Sequence, residues 1–175
     1  MQVTTNSLDA YWMPFTANRD FKDEPRLLVK GEGVYYWNHK GEKILDGTAG
    51  LFCCALGHGR KEIIDAVSHQ LSELDYSPSF NIGHPGPFEL ASKIAALTPD
   101  TLNHIFFVNS GSEAIDSAMK IALAYHRSNG QAQRQRFVSR ERSYHGVNFG
   151  GTSLSGLMKN RETFGTLLPG IHHMR

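Results

Sequence analysis

Six residues, Asn109-Ser110-Gly111-Ser112-Glu113-Ala114, separate an apolar run from an amphipathic segment. The run before them, His104-Ile105-Phe106-Phe107-Val108, reads as a buried strand. The segment after them places Ala114, Ile115, Ala118, Met119, Ala122 and Tyr125 on one helical face. Strand, short turn of small residues, helix start: this is an arrangement that holds an anion on backbone amides. The first amides of a helix lack internal partners, and the helix dipole is positive there. Gly111 lets the chain approach an anion closely, and Ser110 and Ser112 add hydroxyl donors.

The same letters also spell a helix cap. Ser110-x-x-Glu113 fits the capping box, in which Ser and Glu satisfy backbone amides reciprocally. Most such sequences are caps and bind nothing. Neither G-x-x-x-x-G-K-[ST] nor G-x-G-x-x-G occurs, so nucleotide binding is not the first reading. Other parts of the chain must decide.

The 175 residues fall within the range of a single domain and are enough to bury one substantial core. A formal net charge of +1 implies no broad attraction to nucleic acid or to an anionic membrane. No apolar stretch approaches the ~20 residues of a membrane span. Met1 to Asp9 has no basic region followed by an apolar one, so no secretory leader is expected. The composition is that of a soluble, cytoplasmic protein. Cys53 and Cys54 are adjacent and read as small buried thiols in a reducing compartment. The histidines show no H-x-x-x-H or H-E-x-x-H spacing, so no metal site is expected. His172-His173 reads as a solvated or loop pair.

Along the chain, Tyr11-Trp12-Met13-Pro14-Phe15 is an aromatic cluster broken by proline, which implies an irregular packed arm. Residues 27–33, 34–37 and 43–46 read as three antiparallel strands, with a turn at Asn38-His39-Lys40-Gly41. A glycine-rich loop runs from Gly47 to Gly59. A helix is expected from about Arg60 to Leu74, burying Ile63, Ile64, Val67 and Leu71, and another from about Pro87 to Leu97. The helix after Glu113 ends at Ser128-Asn129-Gly130, and Arg136–Ser139 is a short strand. Beyond it lie a loop, a weak helical signal and a last loop at Pro169-Gly170. Helix and strand alternate from Pro87 onward, which argues for α/β architecture with ligands at the carboxyl ends of strands.

Ser143-Tyr144-His145-Gly146 lies just beyond that short strand. Its tyrosine could stack on a flat cofactor whose phosphate rests at Gly111-Ser112, an interaction worth roughly 0.5–1.5 kcal/mol beyond area burial. Taken singly, a loop tyrosine packing on a core is the commoner case. In order and in register, however, these pieces resemble the class III pyridoxal-phosphate aminotransferases. The resemblance rests on 109–114, on 143–146, and on Asp46-Gly47-x-Ala49-Gly50 followed by Gly57-His58, and it extends from about Leu8 to Arg175. Within the family the chain looks most like the ω-amino acid:pyruvate (β-alanine:pyruvate) group. Trp12–Asn18, Leu74–Pro78, Tyr144–Asn148 and Gly151–Leu154 carry that likeness.

The resemblance implies an α/β fold type I transferase. Residues 1–75 would supply the N-terminal arm, antiparallel strands and a connecting helix, and 76–175 the start of the cofactor-binding large domain, with its mixed or parallel sheet incomplete. It implies pyridoxal 5'-phosphate as cofactor, a small-molecule amine or ω-amino acid and a keto acid as substrates, and a homodimer. Position by position, Ser110, Gly111 and Ser112 match the phosphate cup. Tyr144 matches the aromatic on the pyridine ring, with His145 and Gly146 supporting that loop. Phe52 falls where relatives usually have a tryptophan lining the substrate pocket. Phe80 falls in a segment that packs near the partner subunit's active site. The family also uses a Schiff-base lysine, an aspartate on the pyridine nitrogen and an arginine for the substrate carboxylate. All three lie downstream of the Tyr144 position, and none of this chain's lysines matches, so no catalytic residue is expected here. Two other readings stand beside the transferase: an inactive remnant that binds phosphate weakly or only contacts a full subunit, and a different nucleotide- or sugar-phosphate-binding α/β domain.

Overall fold

The computed structural model describes residues 8–165 and 167–175. The first seven residues, most of the stretch read for a leader, lie outside the described residues. Two compact units divide the chain, the first ending at Gly83 and the second running from His84 to Arg175.

In the first unit a short helix α1 (Asn18–Asp23) precedes three strands, β1 (Leu28–Glu32), β2 (Tyr35–Asn38) and β3 (Lys43–Leu45). They form an antiparallel sheet in the order β1-β2-β3, as the turn residues between them require. Asn38 stitches the second turn, its Oδ1 accepting from the amides of Lys40 and Glu42. The helix α2 (Lys61–Glu73) matches its expected span closely. Its expected buried face does not hold: Ile63, Ile64, Val67 and Leu71 are all exposed, because no element of this unit packs over them. The aromatic arm is irregular but not packed, with Tyr11, Trp12 and Phe15 exposed.

The second unit opens with α3 (Pro85–Ala95), whose first residue is the proline that tolerates an N-terminal position. Then come α4 (Gly111–Ser128), β4 (Phe137–Arg140), α5 (Phe149–Leu154), α6 (Met158–Phe164) and β5 (Ile171–Met174). β4 and β5 pair in parallel, Phe137 opposite Ile171 and Arg140 opposite Met174. Two expectations fail here. His104–Val108 joins no ladder, since no strand among the described residues lies beside it. His172 and His173 are not in a loop but in β5, where His172 is solvated as expected but the His173 ring bonds the Leu154 carbonyl through Nε2 at 3.1 Å.

Burial is concentrated in α5. Gly150, Gly151, Thr152, Ser153 and Leu154 are all buried, and α5 touches α4, α6, β4 and β5. Small side chains let so many neighbours approach one short helix. Ser153 and Ser155 satisfy their hydroxyls on backbone carbonyls, so burying them leaves no polar atom stranded. Across the described residues only Phe21 and Leu154 are buried apolar side chains, so the single large core expected from chain length is not built.

Candidate functional site

The start of α4 combines the two readings of its sequence. Ser110 Oγ accepts the Glu113 amide at 3.2 Å, and Glu113 Oε2 accepts the Asn109 amide at 2.9 Å. This variant of the capping box returns its Glu113 bond to Asn109, one residue before the N-cap, instead of to the Ser110 amide. It consumes the amides of Asn109 and Glu113, while the amides of Ser110, Gly111 and Ser112 bond nothing among the described residues. Open space lies where a Gly111 Cβ would point. The cap thus fixes the helix start and leaves a row of donors facing outward at the positive end of the dipole.

The loop after β4 comes to this helix start. Gly146 has φ +110°, and a Cβ there would stand 2.7 Å from Ser112 Oγ and 2.8 Å from Ser112 Cα. Only glycine meets both demands. Ser112 Oγ accepts the Val147 amide at 2.9 Å, which leaves the hydroxyl proton free to donate elsewhere. His145 turns back into the sheet. Its Nε2 lies 3.0 Å from Oγ of the buried Ser139 on β4, and Ser139 in turn meets Ser143 at 3.2 Å. The histidine therefore anchors the loop, and Tyr144, 60% exposed, is left on its outer side. Val147 is a contact that reading the sequence missed. A backbone amide bonded across 35 residues leaves no local signal.

In the first unit, the glycine-rich loop holds an uncommon backbone. Ala49, Gly50, Leu51 and Phe52 have φ of 50°, 58°, 57° and 69°, a full left-handed turn of which three residues carry side chains. Each such residue costs about 1–2 kcal/mol. The Asp46 carboxylate compensates by accepting the amides of Thr48 at 3.1 Å and Gly50 at 2.8 Å. His58 Nε2 meets the same oxygen as Gly50, Oδ2, at 2.8 Å, and the two side chains are nearly sealed from solvent. The His58 hydrogen bond, ahead of the Thr48 and Gly50 amides, holds the Asp46 carboxyl below its ordinary value against the opposing effect of burial. Burial, then the neighbouring Asp46 charge, raises the Tyr36 hydroxyl, whose ring packs on His58 at 4.3 Å. Cys54 is half-buried, but Cys53 is exposed, so the pair is not uniformly an interior one. Phe52 leaves the turn 85% exposed, and Phe80 is 88% exposed. Both belong to the first unit, whereas Ser110, Gly111, Ser112, Tyr144, His145 and Gly146 belong to the second, where the structure groups the helix start with the loop. Among the described residues no cluster of His, Cys, Asp and Glu is placed to hold a metal ion. No helix among them is long and apolar enough to cross a membrane.

Known proteins resemble the chain along nearly its whole length. The sequence profile of the class-III aminotransferases matches residues 16–175. An omega-aminotransferase of Caulobacter vibrioides is 52% identical over 169 residues, covering 97% of this chain and 38% of the relative. A beta-alanine–pyruvate aminotransferase of Pseudomonas aeruginosa is 51% identical, covering 95% of this chain and 37% of the relative. Among solved structures, an (S)-enantioselective omega-transaminase of Thermomicrobium roseum superposes with TM-score 0.93 at 35% identity, over 98% of this chain and 39% of the other. An omega transaminase of Pseudomonas jessenii in complex with PMP gives TM-score 0.93 at 30% identity, over 99% of this chain and 39% of the other. The mixed α/β fold is that of the fold type I transaminases, and the chain spans under two-fifths of the length of the curated relatives it matches.

Proposed function

The chain belongs to the class-III aminotransferases, and on that premise we propose that the whole protein moves an amino group from an ω-amino acid or amine of the β-alanine kind to pyruvate, with pyridoxal 5'-phosphate as cofactor. One observation carries this reading: Gly146 seats the aromatic loop directly on Ser112, beside the open amides of Gly111 and Ser112. An anion-binding helix start and a flat aromatic side chain two residues from the contact are the two supports a phosphorylated ring needs. The donor set fits a phosphate monoester dianion, being made of amides and hydroxyls, while Oε2 of the nearby Glu113 carboxylate is turned back onto the amide and side chain of Asn109.

When bound, the cofactor supplies the electron sink that amino-group transfer requires. This chain's residues would bind and orient it. Gly111 and Ser112 would donate amides to the phosphate, with the hydroxyls of Ser110 and Ser112 beside them. Tyr144 would lie on the ring face, and His145 and Gly146 would keep its loop in place. Phe52 and Phe80 would form walls for the amine and keto acid, Phe80 serving the neighbouring subunit of a homodimer. There their aromatic rings would exclude water from the substrate carbon chain.

The test is to express the full-length protein, record the bound cofactor's absorbance and assay alanine formation from pyruvate and β-alanine. Cofactor absorbance with alanine formation is the expected result. Absence of both overturns the reading.

A further inference from the structure

Two hydrogen bonds tie the loop to α4, and both use side chains of one helix face. Ser112 Oγ accepts the Val147 amide at 2.9 Å, and one turn later Asp116 Oδ1 accepts the Gly151 amide at 3.1 Å. Positions four apart on a helix are surface neighbours. Each bond spans 35 residues, so the segment 147–151 runs along the helix like a two-rung ladder. The second rung also completes α5. Asn148 stands at the N-cap of that helix but makes no side-chain cap bond. Asp116 supplies the missing acceptor from a different helix, and its negative charge sits at the positive end of the α5 dipole. Gly150 makes room: a Cβ there would collide with Asp116 Oδ1 and press on Met119 Sδ. Among the described residues no lysine, arginine or histidine pairs with Asp116, so its carboxylate is committed to the backbone of α5.

We propose that Asp116 is a positioning residue for the cofactor site: by capping α5 it holds 147–151 against α4 and so keeps Tyr144–Gly146 seated on Ser112. This rests on the functional reading above. Asp116 touches neither the phosphate amides nor Tyr144, and it acts only through the loop.

The experiment compares full-length wild type with Asp116→Ala and Asp116→Asn. Pyridoxal phosphate affinity is measured by titration, and amide exchange is followed at Val147 and Gly151 by mass spectrometry. Asp116→Ala should weaken the affinity about tenfold, the effect of stranding a buried amide, and speed exchange at both amides. Asp116→Asn keeps an Oδ1 acceptor and should restore affinity to within about threefold of wild type, since only the charge contribution is lost. Asp116→Ala with wild-type affinity overturns the inference, whatever happens to its melting temperature. So does an equal loss in both variants. Wild-type protein in which the Gly151 amide exchanges at the rate of a free loop overturns it without any variant. A wild type with no affinity for the cofactor overturns the functional reading first, and this inference falls with it.

Discussion

Gly146 meets a conformational and a steric requirement at the same atom. Its φ of +110° excludes most side chains, and a Cβ there would stand 2.8 Å from Ser112 Cα. Gly146→Ala is expected to destabilise the protein by about 1–3 kcal/mol and to weaken cofactor retention, checked by urea unfolding and by absorbance after dialysis. Tyr144 makes a different case, being exposed and bonded to nothing among the described residues. Tyr144→Ala should leave the unfolding midpoint within about 0.5 kcal/mol of wild type. It should nevertheless weaken cofactor binding roughly two- to tenfold, the loss of one stacked ring. Unchanged retention in fluorescence titration would remove the stacking role. Asp46 gives a pH signature. Its folded carboxyl lies below the ordinary 3.8, so the stability it adds is complete above that value and is lost as pH falls through the lower, folded one. Asp46→Asn should therefore flatten the acid limb of a stability-versus-pH curve below about pH 4, measured by thermal unfolding, and lower stability at neutral pH.

At the scale of elements, α4 depends on its cap. Ser110→Ala removes the acceptor for the Glu113 amide and should cost about 1 kcal/mol, read from the urea midpoint. This cap was legible because its signal is local: two side chains three residues apart. The antiparallel strands β1–β3 were legible for the same reason, since β-rich runs are separated by turn residues. β5 was not. Its two histidines carry no apolar alternation, and its place is set by parallel pairing with β4 across more than thirty residues. His104–Val108 failed in the opposite direction. Its apolar letters specify burial, but a strand exists only when a neighbour completes its ladder. The span of α2 was readable from periodicity, whereas the burial of its apolar face depends on what covers it. The site divides likewise. Ser110–Ser112 and Tyr144–Gly146 were visible as motifs, but the Val147 and Asp116 bonds that join them were not, because each partner lies 35 residues away.

Over the whole molecule, surface outweighs core. Among the described residues one apolar side chain is buried in each unit, Phe21 in the first and Leu154 in the second. Ile63, Ile64, Val67 and Leu71 along α2 and Phe106 and Phe107 before α4 stay exposed. Apolar faces of this extent attract partners. The 175-residue chain should therefore bind an apolar dye strongly and scatter light as an associated species. The 35-residue interval between α4 and its loop has a further consequence in time. At translation rates of about 5–20 residues per second, the loop leaves the ribosome roughly 2–7 seconds after the helix residues it will bond. A helix forms in about a microsecond. For those seconds α4 is without Val147 and Gly151, and the Ser110–Glu113 cap, built from neighbours in the chain, is the support its first turn can already have.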